Sequence, residues 1–231
     1  MRLSTCFLLS VLYCMSASAQ QDVKYSGAMS NVMKKGELHG TISIDTIKDR
    51  LHLYGLGPVE YLTGELIIVD GHPYQAKVMP NNEMQVSENY VVKAPFFVYT
   101  HVAEWKEHPL PDSITNISLL EAYLDKISQP AKRPFAFKLA GKVATATIHI
   151  VNLPPGTKVK KPADAHKGRK YYELQDANAD IVGFFSTEHQ TVFTHHDSYT
   201  HMHLVTADRT KMGHLDKLKM NPGTMKLYLP F

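Results

Sequence analysis

The chain has 231 residues, 44% of them hydrophobic and 20% charged, with a formal net charge of +3. That length and apolar content suffice for one large domain or two small ones around a real core, which excludes a disordered chain. Neither charge sign dominates any long block, so there is no basic face of the kind that neutralises phosphates, and nucleic acid is excluded as a partner.

The first nineteen residues, "MRLSTCFLLSVLYCMSASA", read as an export signal. Arg2 leads, an apolar run extends from Cys6 to Tyr13, and Ala17 and Ala19 stand at the two positions a signal peptidase reads. The run is shorter than the roughly 20 residues a bilayer span needs, and no later segment is long and apolar enough, so no membrane span is expected. The mature chain is expected to begin near Gln20 and to be exported, periplasmic or extracellular. Both cysteines, Cys6 and Cys14, fall inside the signal, so the mature chain excludes disulfides, thiolate nucleophiles and cysteine-ligated zinc. Tyr13 before Cys14 is far bulkier than the small residue lipid-attachment sites use.

A short helix is expected around Gly27–Lys35. "GELIIVDGHPYQAKV" then carries Asp70-Gly71, the pair that favours a tight hairpin, between β-branched and aromatic residues. Residues 91–102 read as strand, and residues 117–128 as the longest helix. In that helix Ser118 and Glu121 are spaced as a capping box, Ile117, Leu120, Leu124 and Ile127 share one face, and Pro130 stops it. "SQPAKRP" is the expected domain boundary, dividing 20–130 from 131–231. Beyond it, "PFAFKLAGKVATATIHIVNL" repeats the hairpin arrangement around Ala140-Gly141, and 181–186 and 224–229 supply further strands. Strands dominate and helices are few: an α+β, β-rich fold of two β-sheet units.

Chemistry concentrates in "YTHMHLVTADRTKMGH", residues 199–214. On a strand, His201, His203 and Val205 share one face while Met202 and Leu204 share the other. "ADRTKMG" supplies turn residues, after which His214 can return opposite the first pair. Three imidazoles converging this way leave coordination positions open, the pattern of a catalytic rather than a structural site. The chain has 13 histidines, however, and the spacing alone fits a histidine-rich surface strand equally well. His195 and His196 are expected on an exposed loop, and His72 and His101 are assigned no role.

The surroundings of these histidines resemble the segment "G-Y-H-x-H-F-x-x-D-D-R-x-x-G-G-H" of the α-acetolactate decarboxylases. His201, His203 and His214 match that family's three zinc-binding histidines, and Asp208-Arg209 matches the turn between them. "GLGPVEYLTGELIIVDGHPYQAKV" is similar to the family's "G-x-G-T-F-x-x-L-D-G-E-x-x-x-x-D-G-x-x-Y-Q", which places Glu65 on the glutamate that reaches the metal site. "KAPFFVYTHV" and the helix after it also have family equivalents, so the resemblance runs over roughly residues 24–230. Glu65 by itself reads as a hairpin surface residue, except that it shares its face with Ile67 and Val69, an odd setting for a charge.

The resemblance implies a metal site between or beside the two β units. It also implies a carboxy-lyase that converts 2-acetolactate to acetoin and CO2, with zinc or another divalent metal as electron sink and Glu65 as proton donor. The implied partner is a small hydroxy-keto acid, and a homodimer is left open. Three positions depart from the family: Val151 stands where it has a substrate-facing arginine, Pro58 replaces a threonine, and the sequence ends at Pro230-Phe231, before an acidic C-terminal segment with a glutamate that approaches the metal. Lys142 and His149 are the candidates to supply the arginine's charge, the alternative being that the charge is absent. The alternative reading is an exported metal- or small-molecule-binding protein of the same fold with lost or altered catalysis.

Overall fold

A computed structural model describes residues 20–129 and 131–231 of the chain. The expected export signal, with Cys6 and Cys14, and Pro130 lie outside the described residues. The first elements are β1 (Lys24–Gly27), β2 (Ile42–Ser43), β3 (Leu53–Pro58), β4 (Glu65–Val69), β5 (His72–Val78), β6 (Met84–Glu88), β7 (Lys93–Ala94) and β8 (Phe96–His101). They are followed by β9 (Lys106–His108), α1 (Ile117–Ile127), β10 (Phe135–Lys142), β11 (Thr145–Ile150), α2 (Pro162–Ala165), β12 (Lys170–Gln175), β13 (Asn178–Phe185), β14 (Thr200–Thr206), β15 (Met212–Lys219) and β16 (Met225–Leu229). No described helix is long and apolar enough to cross a membrane.

The fold is β-rich with few helices, as the strand-dominated pattern predicts. Six strands form one sheet in the order β1-β8-β3-β4-β5-β6, eight form a second in the order β12-β11-β15-β14-β13-β10-β16-β9, and β2 pairs with β7. The expected Asp70-Gly71 hairpin joins β4 to β5, with both turn residues at positive φ (48° and 81°), the mirror-image turn that matches strand twist. The second sheet is buried on both faces. One carries Phe137, Met202 and Leu204 against Leu120 and Leu124 of α1. The other packs Val182, Phe184 and Val205 onto Ile67 and Tyr74 of the first sheet. Fully burying one such side chain contributes about 1.5–3 kcal/mol, so this two-sided core fixes which side chains of the second sheet face the first.

Three sequence expectations are corrected. Ala140-Gly141 is not a hairpin turn: β10 runs straight through it to pair with β13 and β16, while β11 pairs with β12 and β15. The small residues serve close packing there, because a Cβ on Gly141 would lie 2.2 Å from the Thr224 carbonyl oxygen. The cap of α1 is Asn116, whose side chain accepts from the Leu119 N–H at 3.0 Å, rather than Ser118, and the helix ends at Ile127. Released from capping, Glu121 clamps the start of β14 instead, its Oε2 accepting from Ser198 Oγ (2.7 Å), the Tyr199 N–H (2.8 Å) and Thr200 Oγ1 (3.1 Å). Near the N-terminus, Lys24–Gly27 is strand, so the expected short helix starts later, at Met29, and continues as a π-helical turn over Asn31–Lys35.

Candidate metal centre

Along β14 every residue is buried. With Met202 and Leu204 directed under α1, alternation aims His201 and His203 at the first sheet beside Val205. The Asp208-Arg209 turn then reverses the chain. Asp208 Oδ1 accepts from Thr206 Oγ1 (2.6 Å), the Thr210 N–H (3.0 Å) and Thr210 Oγ1 (2.9 Å), while Arg209 donates to Asp180 at 2.9 Å. This sets the register in which His214 of β15 stands directly opposite His203. On the other flank of β15, His214 is also paired with His149 of β11, so His149, His214 and His203 form one row across three strands.

Gly213 explains why a glycine precedes His214. A Cβ at that position would lie 2.5 Å from the His149 carbonyl oxygen, so a larger residue would push β11 away from β15. Gly213→Ala is expected to cost about 1–3 kcal/mol by overpacking. Thermal denaturation should show this as a fall in midpoint of roughly 2–12 °C, accompanied by weaker metal uptake.

His201, on the same face of β14 as His203, joins His203 and His214 of this row, so the three expected histidines come together. Ring centroids lie 5.1 Å apart for His201–His203 and for His201–His214, and 5.5 Å for His203–His214. One ring nitrogen from each falls within 4.8 Å of the others. Burial depresses the pKa of His201 and His214 well below the ordinary value and that of His203 to about 3. All three are therefore neutral, the form that binds metals. Neither His201 Nδ1 nor His203 Nδ1 makes a well-formed hydrogen bond among the described residues, although the backbone at Phe193 and at Leu66 approaches these rings and favours their charged form without overcoming burial. This set of three neutral, converging imidazoles fits a divalent cation.

Glu65 enters from the first sheet, at the start of β4, and is 3% exposed. Its Oε1 accepts the Val151 N–H at 3.2 Å, and its two oxygens stand 3.7 Å from His203 Nε2 and 3.8 Å from His149 Nε2, too far for hydrogen bonds. Burial raises its pKa to about 8, against the lowering effects of the Val151 N–H and Arg169. Before any cation binds, the carboxyl thus holds its proton at neutral pH.

Sequence reasoning missed three members of this cluster. His195, expected on an exposed loop, is partly buried with its Nε2 3.4 Å from His214 Nε2, whereas His196 is exposed as expected. Asp216 sits at a slip in the β11–β15 register between Thr147 and Ile148, a bulge that aims its carboxylate at His149 Nδ1, 2.6 Å away. Arg169, in the loop before β12, lines the same cavity as Glu65, His149 and His214, with its Nε buried and unpartnered among the described residues. Neither candidate for the family's missing charge supplies it: Lys142 pairs with Asp176 at 3.2 Å and is half exposed. His149 lies in the site, but burial lowers its pKa and leaves it neutral. The cation at the cavity is Arg169, and no spacing rule connects a loop arginine to a strand 20 residues earlier. The polar His149 within "TIHIV" was the one legible signal. His72 is exposed at the start of β5, and His101 contacts the Asp49 carbonyl oxygen at 3.1 Å, away from the cluster.

The cavity itself measures about 30 Å³, with Met29, Met33, Leu62 and Phe96 as its apolar wall. That is room for a cation and about one water. Beyond Met29, Met33 and His195 lies a larger cavity of about 370 Å³, lined also by Pro162 and His166.

Two packed sheets with a buried set of neutral histidines and the acidic neighbours Glu65 and Asp216 define a class of protein: a β-rich fold with a polyhistidine centre suited to a divalent cation. The profile of alpha-acetolactate decarboxylase matches residues 25–229, and the chain belongs to that family. It is 26% identical over 211 residues to the alpha-acetolactate decarboxylase of Methanosarcina mazei, covering 89% of this chain and 69% of that one. The enzyme of the same name from Streptococcus thermophilus is 26% identical over 194 residues, covering 81% and 76%. In fold, the crystal structure of alpha-acetolactate decarboxylase from Bacillus subtilis strain 168 superposes with a TM-score of 0.71 at 17% identity, covering 90% of this chain and 83% of that one. A Staphylococcus aureus protein of unknown function similar to alpha-acetolactate decarboxylase gives 0.68 at 20% identity, covering 90% and 84%. These relatives support an acetolactate decarboxylase-like enzyme, a carboxy-lyase.

Proposed function

We propose that the protein converts 2-acetolactate to acetoin and CO2, using a divalent metal held by His201, His203 and His214. The observation that carries this reading is the grouping of three buried, neutral imidazoles beside a buried, protonated glutamate. Zinc is the metal of choice on the family resemblance, since imidazole ligands alone suit several divalent ions. When bound, the metal supplies a Lewis acid for the negative charge that the departing carboxyl group leaves behind.

The chain's own residues supply the rest. Arg169 offers the guanidinium that orients the substrate carboxylate, its Nε being unsatisfied within the described protein. The bond between C1 and C2 breaks, CO2 leaves, and its electron pair passes into the C2–C3–oxygen system. Glu65 then gives its proton to C2, and one proton from solvent restores it, which balances the reaction. Asp216 holds His149 in a single tautomer with Nδ1–H donated to the carboxylate, so Nε2 faces Glu65 as an acceptor. Met29 and Met33 form part of the cavity wall, where their adaptable side chains can pack against the substrate's methyl groups. With the expected export signal, we place this reaction outside the cytoplasm.

Arg169→Gln tests the anion-binding role. KM for acetolactate should rise about 10–100-fold, the loss of a charge-assisted contact worth about 1.5–3 kcal/mol, with kcat reduced far less. An unchanged KM would remove Arg169 from substrate binding. The function as a whole is tested by assaying acetoin from racemic acetolactate with protein carrying stoichiometric metal. Absence of product from loaded protein would leave the metal- or small-molecule-binding reading.

A further inference from the structure

We propose that His195, on the loop between β13 and β14, is a fourth imidazole ligand of the cation in the substrate-free protein. The inference rests on the reading of His201, His203 and His214 as the cation's holders and adds to it a ligand from outside the two metal-site strands.

The geometry begins with a contact of unusual kind. The only side-chain hydrogen-bond contact of His195 among the described residues is with another imidazole nitrogen, His214 Nε2, at 3.4 Å. That is longer than the 2.7–3.2 Å of good N–H hydrogen bonds. It equals, instead, the edge of a tetrahedron whose centre lies about 2.0–2.1 Å from each corner, which comes to roughly 3.3–3.4 Å for two nitrogens on one zinc ion. The His195–His214 pair is spaced as co-ligands are, while the set of ligand atoms lying within 4.8 Å of one another takes in His201, His203 and His214 without His195, so the loop has to shift inward to complete a four-nitrogen set.

Position agrees with this. The His195 ring centroid is 5.2 Å from that of His214 and 6.3 Å from that of His201, so it approaches the cluster from outside the β14–β15 pair. It lines the small cavity with Glu65, His201 and His214, and forms part of the wall between that cavity and the larger one beyond. The loop that carries it is fastened at both sides: Ser186 Oγ contacts His189 Nδ1 at 2.7 Å, Gln190 Nε2 donates to the His196 carbonyl at 3.0 Å, and Glu121 clamps Ser198. His195 is tucked inward between buried Thr194 and exposed His196. A loop residue held so near can close the remaining gap to a cation, whereas the strand-borne His149 is already fixed by Asp216.

The test uses the chelator-stripped chain reloaded with Zn²⁺, as wild type, His195→Ala and His196→Ala. X-ray absorption at the zinc edge should count four imidazoles in the wild type and His196→Ala, and three in His195→Ala. Zinc affinity by competition with a chelating dye should fall at least about tenfold in His195→Ala alone. His195→Gln provides the same comparison if the alanine variant does not fold. Equal imidazole counts and equal affinity in wild type and His195→Ala overturn the proposal while leaving the three-histidine site standing. A wild type that takes up no stoichiometric zinc overturns both.

Discussion

His203→Ala should bind no stoichiometric metal and should lose at least about 1,000-fold in kcat/KM, equivalent to about 4 kcal/mol of transition-state stabilisation. His203 ends the row, paired with His214 of β15 and sharing β14 with His201, so its loss removes one corner of the strand-borne triangle and leaves His201 and His214 with the loop residue His195 as a further imidazole at hand. A pair of strand-fixed imidazoles helped only by a loop residue cannot hold a divalent ion against water and buffer as the strand-borne triangle can, because the site is no longer preformed by the folded sheet. The change is also one of stability. A metal that binds only the folded chain stabilises it by roughly 4 kcal/mol at 1,000 times the dissociation constant. Chelation should therefore lower the thermal midpoint of the wild type and leave that of His203→Ala unmoved. An equal response in both chains would place the metal elsewhere.

Glu65→Gln is the second large effect, and it separates chemistry from binding. The amide keeps the shape of the protonated carboxyl and can still accept the Val151 N–H, but it has no proton to give. Loss of a positioned general acid costs about 100- to 10,000-fold, so kcat should fall by that amount with metal content unchanged. A linked result concerns the stripped protein. The Glu65 pKa is raised from 4.5 in the unfolded chain to about 8 in the folded one, so the folded state holds the proton more tightly. The corresponding stability is fully present below about pH 4.5 and is lost as pH rises through about 8. In Glu65→Gln that alkaline loss should be smaller, which urea unfolding between pH 6 and about 9 measures.

How much of this could be read from sequence follows from how local each signal was. Alternation in "THMHLVT" put His201 and His203 on one face because strand geometry has a period of two, and the β14–β15 register then brought His214 opposite. Glu65 betrayed itself by sharing a face with Ile67, which the structure buries against the second sheet. Asp70-Gly71 announced its hairpin through the backbone conformation it favours. Ala140-Gly141 misled for the opposite reason: its small residues answer to the close approach of Thr224, a contact made 83 residues away along the chain. Ser118 and Glu121 matched a capping box by spacing, but the three donors from Ser198, Tyr199 and Thr200 that occupy Glu121 come from a distant strand. Arg169, Asp216 and His195 stayed hidden because a loop conformation, a bulge and a cross-loop contact bring them to the site. None of these leaves a periodic trace.

The most direct measurement follows acetoin production from racemic 2-acetolactate by one preparation before chelation, after chelation, and after titration with zinc. Activity should vanish on stripping and return linearly until one metal ion per chain is reached. Acetoin formation that survives complete removal of metal, or that is absent from a chain carrying a full equivalent, would contradict the account.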